Sequence, residues 1–436
     1  MTKTTRRGAL AAFATLSIPG CLSVATGSDS FDRKALLAVY ADPPPSVDPP
    51  NTVRIDTDHL GESERRADAL LASVPDPVTD EDISAEKRRA IERNRERAAD
   101  AKSDAMAAPV AKGRLDGLRR TRALAAYAEG YWAAVSADRH PTEVEADSLT
   151  VSESVESYRA GLEYDAVSDD GLELHVYETV EYLLTVATRD LEAVDTYNAA
   201  ADREIEVAQL SRHVERARAA AADAESITTH NRTRLEAGVE SAIPETAATL
   251  TDMLDSLEAE MSEPTSSNGS PDEPSEPAVD QAVGWYDTVQ SFLVGPFDST
   301  VGTPSPDDAP AAAIIDAHSR LAWADGVLTT IDRAEAGDIP DLDGPEALRT
   351  LRRDAVDAVE QRVGTDAHML DRYAAASVAA LIEAVDDSLR AALLDEETTA
   401  ERLAQTADGY RYAGAIAAAI PDRTAEVVDT FESERS

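Results

Sequence analysis

Apolar residues recur at helical spacing over most of the chain after residue 84, and this periodicity constrains the fold more than any other feature. Steps of three and four residues keep side chains on one face of an α-helix. Alanine fills many of the other positions, which favours helix and lets neighbouring helices approach closely. The sequence therefore predicts an all-α fold of helical hairpins or bundles. The clearest stripes are Val176, Val180, Leu183, Ala187, Leu191 and Val194; Leu124, Tyr127, Tyr131 and Val135; and Ala374, Val378, Leu381, Val385, Leu389 and Leu393.

Changes in composition divide the chain into two helical domains and the segments around them. The linker is the plainest of these, because MSEPTSSNGSPDEPSEPAVD is rich in Pro, Ser and Glu and has no apolar period. Before the first domain we predict at most short β structure, in the apolar run 35–41 and the alternating run 51–56. The predicted segments are an extended, Pro-rich segment at 31–83, an N-terminal helical domain at 84–260, a disordered linker at 261–280, a short helix with a second linker at 281–310, and a C-terminal helical domain at 311–436.

Prolines mark predicted helix ends. Proline has no backbone N–H and its ring clashes with the preceding turn, so it ends or kinks a helix. On this basis we expect helices to stop at Pro109, Pro141, Pro340 and Pro421, and a kink or break at Pro244.

The first 23 residues have the pattern of an export leader. Arg6 and Arg7 precede an apolar run, 8–18, that is too short to span a bilayer but suits a signal peptide. The adjacent arginines resemble a twin-arginine export signal. The sequence IPGC that ends at Cys21 resembles a lipobox, although Pro19 stands where a small residue is usual. A cysteine buried beside an uncleaved helix is the alternative.

The resemblance to an exported lipoprotein implies a location for the mature chain. Residues 1–20 would be the signal peptide, and residues 21–30 would be a tether with lipid on Cys21. The protein would then be held by its lipid anchor on the outer face of the cytoplasmic membrane.

The charge balance limits the environment and the partners. The formal net charge is −43, and only five of the 41 basic residues are lysines. Many carboxylates with few lysines resemble the proteins of haloarchaea, in whose molar salt charge repulsion is screened within about 3 Å. A disordered acidic protein is the alternative, against which the regular apolar spacing argues. The charge excludes a nucleic-acid partner, and a single cysteine excludes a disulfide framework.

Positive charge is concentrated in one segment, 84–122, which has 12 basic and six acidic residues. Six basic residues crowd one predicted helix: Lys87, Arg88, Arg89, Arg93, Arg95 and Arg97. The helix could contact anionic lipid or an acidic surface layer. It could instead dock on the acidic part of the chain itself, or be solvated and balanced by its own glutamates.

The sequence contains none of the common catalytic or metal-binding motifs, so we predict no catalytic residues, no metal and no cofactor. None of the seven histidines has a glutamate three residues before it, as a di-iron bundle requires. Phosphate-binding loops and the nucleophile elbow are also missing. Asp56 and Asp58 form one of two short acidic strings that could offer oxygens to a cation, but neither completes a calcium loop.

Tyrosines are concentrated between residues 158 and 197, where five of the twelve are found. Tyrosines with polar tips can line a pocket for a small polar ligand. The alternative is that they are the bulky members of an alanine-rich core, with hydroxyls that reach the surface. The candidate pocket residues are Tyr158, Arg159, Tyr164, His175, Tyr177 and Tyr182.

Two triplets fit the pattern for N-glycosylation. Asn231 begins Asn-Arg-Thr, and Asn268 begins Asn-Gly-Ser inside the predicted linker. Asn268 is the better candidate of the two, because of its place in the linker.

These observations support three functional hypotheses. The first is a non-catalytic, lipid-anchored surface protein that docks an envelope protein or supports the cell envelope. The second is a small-ligand-binding lipoprotein that acts with a transporter, which depends on the tyrosines. An enzyme comes third. Tight binding of a solute to the purified protein would favour the second hypothesis, and turnover of a substrate would favour the third.

Overall fold

The computed structural model is all-α over the residues that it describes, and no strand occurs among them. This confirms the predicted fold class. The leader, the tether and most of the predicted linkers lie outside these residues, so those predictions stay predictions. The described residues are 33–40, 43–47, 53–78, 83–164, 171–197, 202–235, 242–262, 305–339, 342, 344–364, 367–394 and 400–434.

Twelve helices are found in the described residues. They divide into two compact units: Asn51–Ala166 with Glu173–Ser241, the N-terminal unit, and Met1–Pro50 with Val167–Leu172 and Ala242–Ser436, the C-terminal unit. The helices are α1 (Arg33–Leu37), α2 (Thr57–Ala72), α3 (Ala85–Ala107), α4 (Ala111–Ser136), α5 (Pro141–Ala160), α6 (Leu172–Asp195), α7 (Arg203–Leu235), α8 (Ile243–Ser262), α9 (Pro310–Glu335), α10 (Pro345–Glu360), α11 (Met369–Leu394) and α12 (Ala400–Glu434).

In the N-terminal unit, α4 packs against α7, with α2 and α3 against α4 and α5 against α7. The α4–α7 approach is close because Gly130 has no side chain: a Cβ there would lie 2.6 Å from the Ser211 hydroxyl and 3.1 Å from the Val207 carbonyl oxygen. Close helix packing was predicted from alanine, and here a glycine permits it.

In the C-terminal unit, α12 contacts α9, α10 and α11, and α8 packs on α9. The core of this unit includes Trp323, which is fully buried, and it extends to Leu36 and Val39 at α1. A buried ion pair crosses it: Arg352 donates hydrogen bonds of 2.8 and 2.7 Å to the Asp386 carboxylate, and the Tyr410 hydroxyl donates one of 2.6 Å.

The predicted apolar stripes point inward. All six residues of the 176–194 stripe and all six of the 374–393 stripe are buried. The stripe on α4 is shallower, because Tyr131 is buried while Leu124, Tyr127 and Val135 are half-buried.

The predicted extended segment at 31–83 needs correction, because residues 57–72 form α2. Asp56 caps this helix, and its carboxylate accepts a hydrogen bond of 2.9 Å from the Asp58 amide. This capping bond accounts for the acidic string at Asp56 and Asp58, so no bound cation is needed to explain it. The predicted end of the N-terminal domain at 260 also differs from the structure, where this unit ends at Ser241 and α8 belongs to the C-terminal unit.

Proline has the predicted effect at Pro109 and a different one at three other positions, while Pro340 lies outside the described residues. The helix α3 ends just before Pro109, whereas Pro141 begins α5. Pro244 stands in the first turn of α8, where proline is favoured, so it starts a helix rather than kinking one. The stop predicted at Pro421 is wrong, since α12 continues through it.

No helix in the described part of the chain is long and apolar enough to span a membrane.

Candidate functional site

Buried polar residues recur along α7 and organise the N-terminal unit. Ser211, Glu215, Asp223 and Asn231 are separated by multiples of four residues and are all buried. Each step of four residues turns the side-chain direction by about 40°, so this row winds around α7. A buried polar group is stable only when it is hydrogen-bonded, so the partners of this row decide what it does.

Three arginines surround the Glu215 carboxylate. Arg122 on α4 donates hydrogen bonds of 2.9 and 2.7 Å to Oε1. Arg66 on α2 donates bonds of 3.2 and 2.9 Å, one to each oxygen, and Arg218 donates one of 3.0 Å to Oε2. Burial alone would raise the pKa of Glu215, but the bonds and charges of Arg66 and Arg122 outweigh it, so the pKa is below its usual value. Glu215 is therefore an anion that joins α2, α4 and α7.

Asp223 forms a second ion pair two turns along α7. Arg119 on α4 donates a bond of 3.0 Å to its Oδ2, and the His59 ring lies 2.8 Å from its Oδ1. Arg119 also donates a bond of 2.7 Å to Asp116 on its own helix. Asp223 thus braces the same three helices as Glu215.

A cavity of about 280 Å³ opens beside Glu215. Its inner wall includes the buried residues Ser211, Glu215 and Ala126, while Arg66, Asp147 and Arg218 are 44%, 53% and 42% exposed and lie toward solvent. Its volume is slightly below the range of about 300–1,000 Å³ of most ligand pockets. The full lining is Arg66, Ala69, Leu70, Ser73, Ala126, Glu129, Arg139, Val144, Asp147, Ser211, Val214, Glu215 and Arg218.

The Ser211 hydroxyl on the cavity wall has no hydrogen-bond partner among the described residues, although the side chain is 94% buried. Leaving a buried hydroxyl unpaired costs about 1–3 kcal/mol. A second lining serine, Ser73, differs in this respect, because its hydroxyl donates a bond of 2.6 Å to the Leu70 carbonyl oxygen. This hydroxyl has almost no accessible surface and faces Gly130 of α4, so it belongs to the contact between α4 and α7.

A separate charged cluster forms another part of the cavity lining. Arg139, in the short connection between α4 and α5, donates bonds of 3.3 Å to Glu129 and 2.9 Å to Asp147. One guanidinium here faces two carboxylates, the reverse of the balance around Glu215.

None of the six predicted tyrosine-pocket residues lines this cavity. Tyr158 on α5 donates a bond of 2.6 Å to the Thr228 hydroxyl on α7, and burial raises its pKa. Arg159 donates a bond of 3.2 Å to the Thr188 hydroxyl on α6. These two residues therefore link α5 to its neighbours.

Of the other predicted pocket residues, Tyr164 follows α5, and His175, Tyr177 and Tyr182 lie on α6. The rings of Tyr164 and Tyr177 are 5.0 Å apart between centroids and tilted by 54°. Tyr177 is fully buried, Tyr182 is half-buried, and His175 Nδ1 lies 3.0 Å from Glu178 Oε2. The structure thus brings Tyr164 and Tyr177 together by ring packing, which agrees with the alternative of a core role.

Asn231 does not fit its predicted use as a glycosylation acceptor in the folded chain. The side chain is fully buried, and its amide nitrogen donates bonds of 2.9 Å to the Arg54 carbonyl and 2.7 Å to the Ile227 carbonyl. Its amide oxygen accepts a bond of 3.2 Å from the Arg54 amide. Asn231 therefore fixes the chain before α2 on α7. Asn268 lies outside the described residues.

The basic helix α3 makes ion pairs with carboxylates of its own unit. Lys87 contacts Glu204 on α7 at 2.8 Å, and Arg95 contacts Asp76 at 2.5 Å. Lys102 contacts Asp68 on α2 at 2.6 Å. Of these partners only Glu204 lies in the acidic part of the chain, after residue 134, so one contact fits docking there and the three alternatives for this helix stay open.

The cavity residues form no apolar stripe and no known motif, so the sequence patterns did not reveal them. The signal that could have revealed them is the polar row on α7, since Val207, Ala219 and Ile227 alternate with it at the same spacing of four residues and are buried. Charged residues at such positions need partners of opposite charge on the facing helices.

Comparison with known proteins divides the chain at the same place as the structure. Residues 58–237 match the family model described as "Domain of unknown function (DUF8262)", and residues 240–429 match that described as "Domain of unknown function (DUF8264)". The boundary between these matches lies beside the structural boundary after Ser241. No curated protein and no solved structure matches the chain.

Proposed function

We propose that this is an exported, lipid-anchored helical protein of the haloarchaeal cell surface, which docks an envelope protein or supports the envelope without catalysis. The observation that carries the proposal is the order of features in the leader: Arg6 and Arg7, a short apolar run, and then Cys21. The excess of carboxylates supports it, because molar salt would screen their repulsion.

The use of the buried charges also supports a docking role. Glu215 and Asp386 are each hydrogen-bonded by arginines from other helices. Removing one member of such a pair destabilises a fold strongly, so these groups hold helices in register. Two helical units built in this way present fixed surfaces to a partner.

Membrane attachment is tested by expressing the full chain and its Cys21→Ala variant in a haloarchaeal host. We expect the native chain in the membrane fraction, and the variant in the medium or as an unprocessed precursor. Ser23→Ala is the matched control and should stay in the membrane. Unchanged retention and unchanged mass of Cys21→Ala would contradict lipid anchoring.

Docking is tested separately by crosslinking the native chain in intact membranes at molar salt, followed by mass spectrometry. A recurrent protein partner, linked to the same residues in replicate samples, is the expected result. Crosslinks only within the chain would contradict the docking role.

The second candidate function is small-ligand binding, for which the cavity beside Glu215 supplies a specific observation. Six ionic side chains surround a cavity of about 280 Å³. Native mass spectrometry of the chain purified from its host tests this function. A bound mass that dissociates on unfolding would support it, and the bare chain mass alone would count against it.

A further inference from the structure

The cavity beside Glu215 contains two ionic clusters of opposite net charge. In the first, Arg66, Arg122 and Arg218 surround one carboxylate, so the cluster has a net positive charge, and Glu129 of the second cluster interacts with Arg66. In the second, Arg139 faces Glu129 and Asp147, so one negative charge is unmatched. Residues of both clusters line the same cavity.

The positive cluster retains hydrogen-bond donors. Arg66 uses Nε and Nη2 on Glu215, and Arg218 uses Nη1. A guanidinium has five N–H donors, so each arginine keeps donors that a carboxylate of a ligand could accept. Glu215 is deeply buried and bonded by all three arginines. Its single negative charge neutralises only part of their positive charge.

The negative cluster retains acceptors. Arg139 bonds Oε2 of Glu129 and Oδ2 of Asp147, and the second oxygen of each carboxylate has no hydrogen bond to a described residue. An ammonium group donates up to three hydrogen bonds. The second cluster therefore suits a cationic group.

We propose that the cavity binds a small zwitterion, with its carboxylate at Arg66 and Arg218 and its ammonium at Glu129 and Asp147. This inference names a ligand class for the second candidate function and depends on it. The volume limits the ligand to a small molecule such as an amino acid.

Titration calorimetry of the full chain, extracted in detergent at molar salt, tests the charge assignment. The probes are L-alanine and unbranched amino acids of two to five carbons, each beside the carboxylic acid and the amine of the same carbon number. We expect at least one amino acid to bind about tenfold or more tightly than its single-charge counterparts, since each lost ionic contact weakens binding.

Variants of the two clusters separate their roles. Arg218→Gln should weaken the binding of both amino acid and carboxylate, whereas Asp147→Asn should weaken only that of the amino acid. Glu153→Gln on α5 is the matched control for Asp147→Asn, because this carboxylate is exposed and does not line the cavity, and affinity should be unchanged.

Two results would overturn the inference. If carboxylates bind as tightly as amino acids, the cavity is an anion site, and the ligand-binding function stands without the zwitterion. If none of the probes binds, the assignment fails for this ligand class, while native mass spectrometry of the purified chain still decides the ligand-binding function by itself.

Discussion

The Arg362 Nε atom donates a hydrogen bond of 3.1 Å to the carbonyl oxygen of Ala417. That oxygen is the acceptor an amide at position 421 would use, because helical bonds run from each N–H to the carbonyl four residues earlier. Residue 421 is a proline and has no N–H. The arginine therefore supplies the donor that the proline removes, and this explains how α12 passes through Pro421.

A double-mutant cycle tests this replacement. Arg362→Met should lower the free energy of unfolding by about 1–3 kcal/mol, because it leaves a buried carbonyl without a donor. In a Pro421→Ala background the cost should be smaller, since the new amide can bond to Ala417. Thermal denaturation of the four proteins measures the coupling, and equal costs in both backgrounds would show that the two donors are unrelated.

Glu215 should be essential for the stability of the N-terminal unit. Glu215→Gln removes the charge that holds Arg66, Arg122 and Arg218, and loss of one partner of a buried ion pair costs about 3–5 kcal/mol. Glu225→Gln on the same helix is the control: this residue is exposed, so its effect should be within about 0.5 kcal/mol. Denaturant unfolding at molar salt compares the two variants. Similar midpoints would contradict a structural role for the buried carboxylate.

Asn231 should carry no glycan in the folded protein, and its loss should loosen the chain before α2. Asn231→Ala removes the bonds to both backbone groups of Arg54, and we expect a cost of about 1–3 kcal/mol. Hydrogen exchange at the Arg54 amide should accelerate in the variant. Peptide mass spectrometry of the native protein tests the first point, and a glycan on Asn231 would contradict the burial seen here.

His318 should make stability depend on pH. Burial, together with the nearby charges of His368 and Arg423, lowers its pKa to about 3. The ring also lies 2.9 Å from the hydroxyl of Thr424, which donates to Asp371. Since the unfolded chain takes up a proton near pH 6.5 and the folded chain does not, this contribution to stability is constant above about pH 6.5 and falls as the pH drops toward 3.

Two variants isolate this effect. Below about pH 6.5 the native chain should lose up to about 1.4 kcal/mol per pH unit through His318. His318→Gln should remove that part of the slope, while His230→Gln, at an exposed position, should leave it in place. Unfolding free energies between pH 7.5 and 5 provide the comparison. An identical slope for native chain and His318→Gln would contradict a buried neutral ring.

The sequence patterns predicted the helices whose buried faces are apolar. The stripes that contain Val180 and Leu381 are regular and hydrophobic, and both residues are fully buried. The helix α2 escaped prediction because its inward side is only partly apolar: its buried residues are Ser63, Ala67 and Leu70. Arg66 of α2 bonds Glu215 on α7, and a local pattern does not reveal a partner about 150 residues away.

The candidate site was less predictable than the fold, for the same reason. Ser211 and Glu129 resemble ordinary surface residues until α4 and α7 are packed together. The stop expected at Pro421 failed because a distant arginine replaces the missing donor. Contacts between residues distant in sequence determine both the cavity and the course of α12, whereas the leader pattern lies within contiguous residues.

Lipid anchoring is the central claim, and the N-terminus of the mature protein tests it most directly. The native chain would be extracted from host membranes, digested, and its N-terminal peptide identified by mass spectrometry. We predict a peptide that begins at Cys21 and carries a lipid mass on that cysteine. A peptide that begins at Met1, or an unmodified Cys21 inside a longer peptide, would contradict the account.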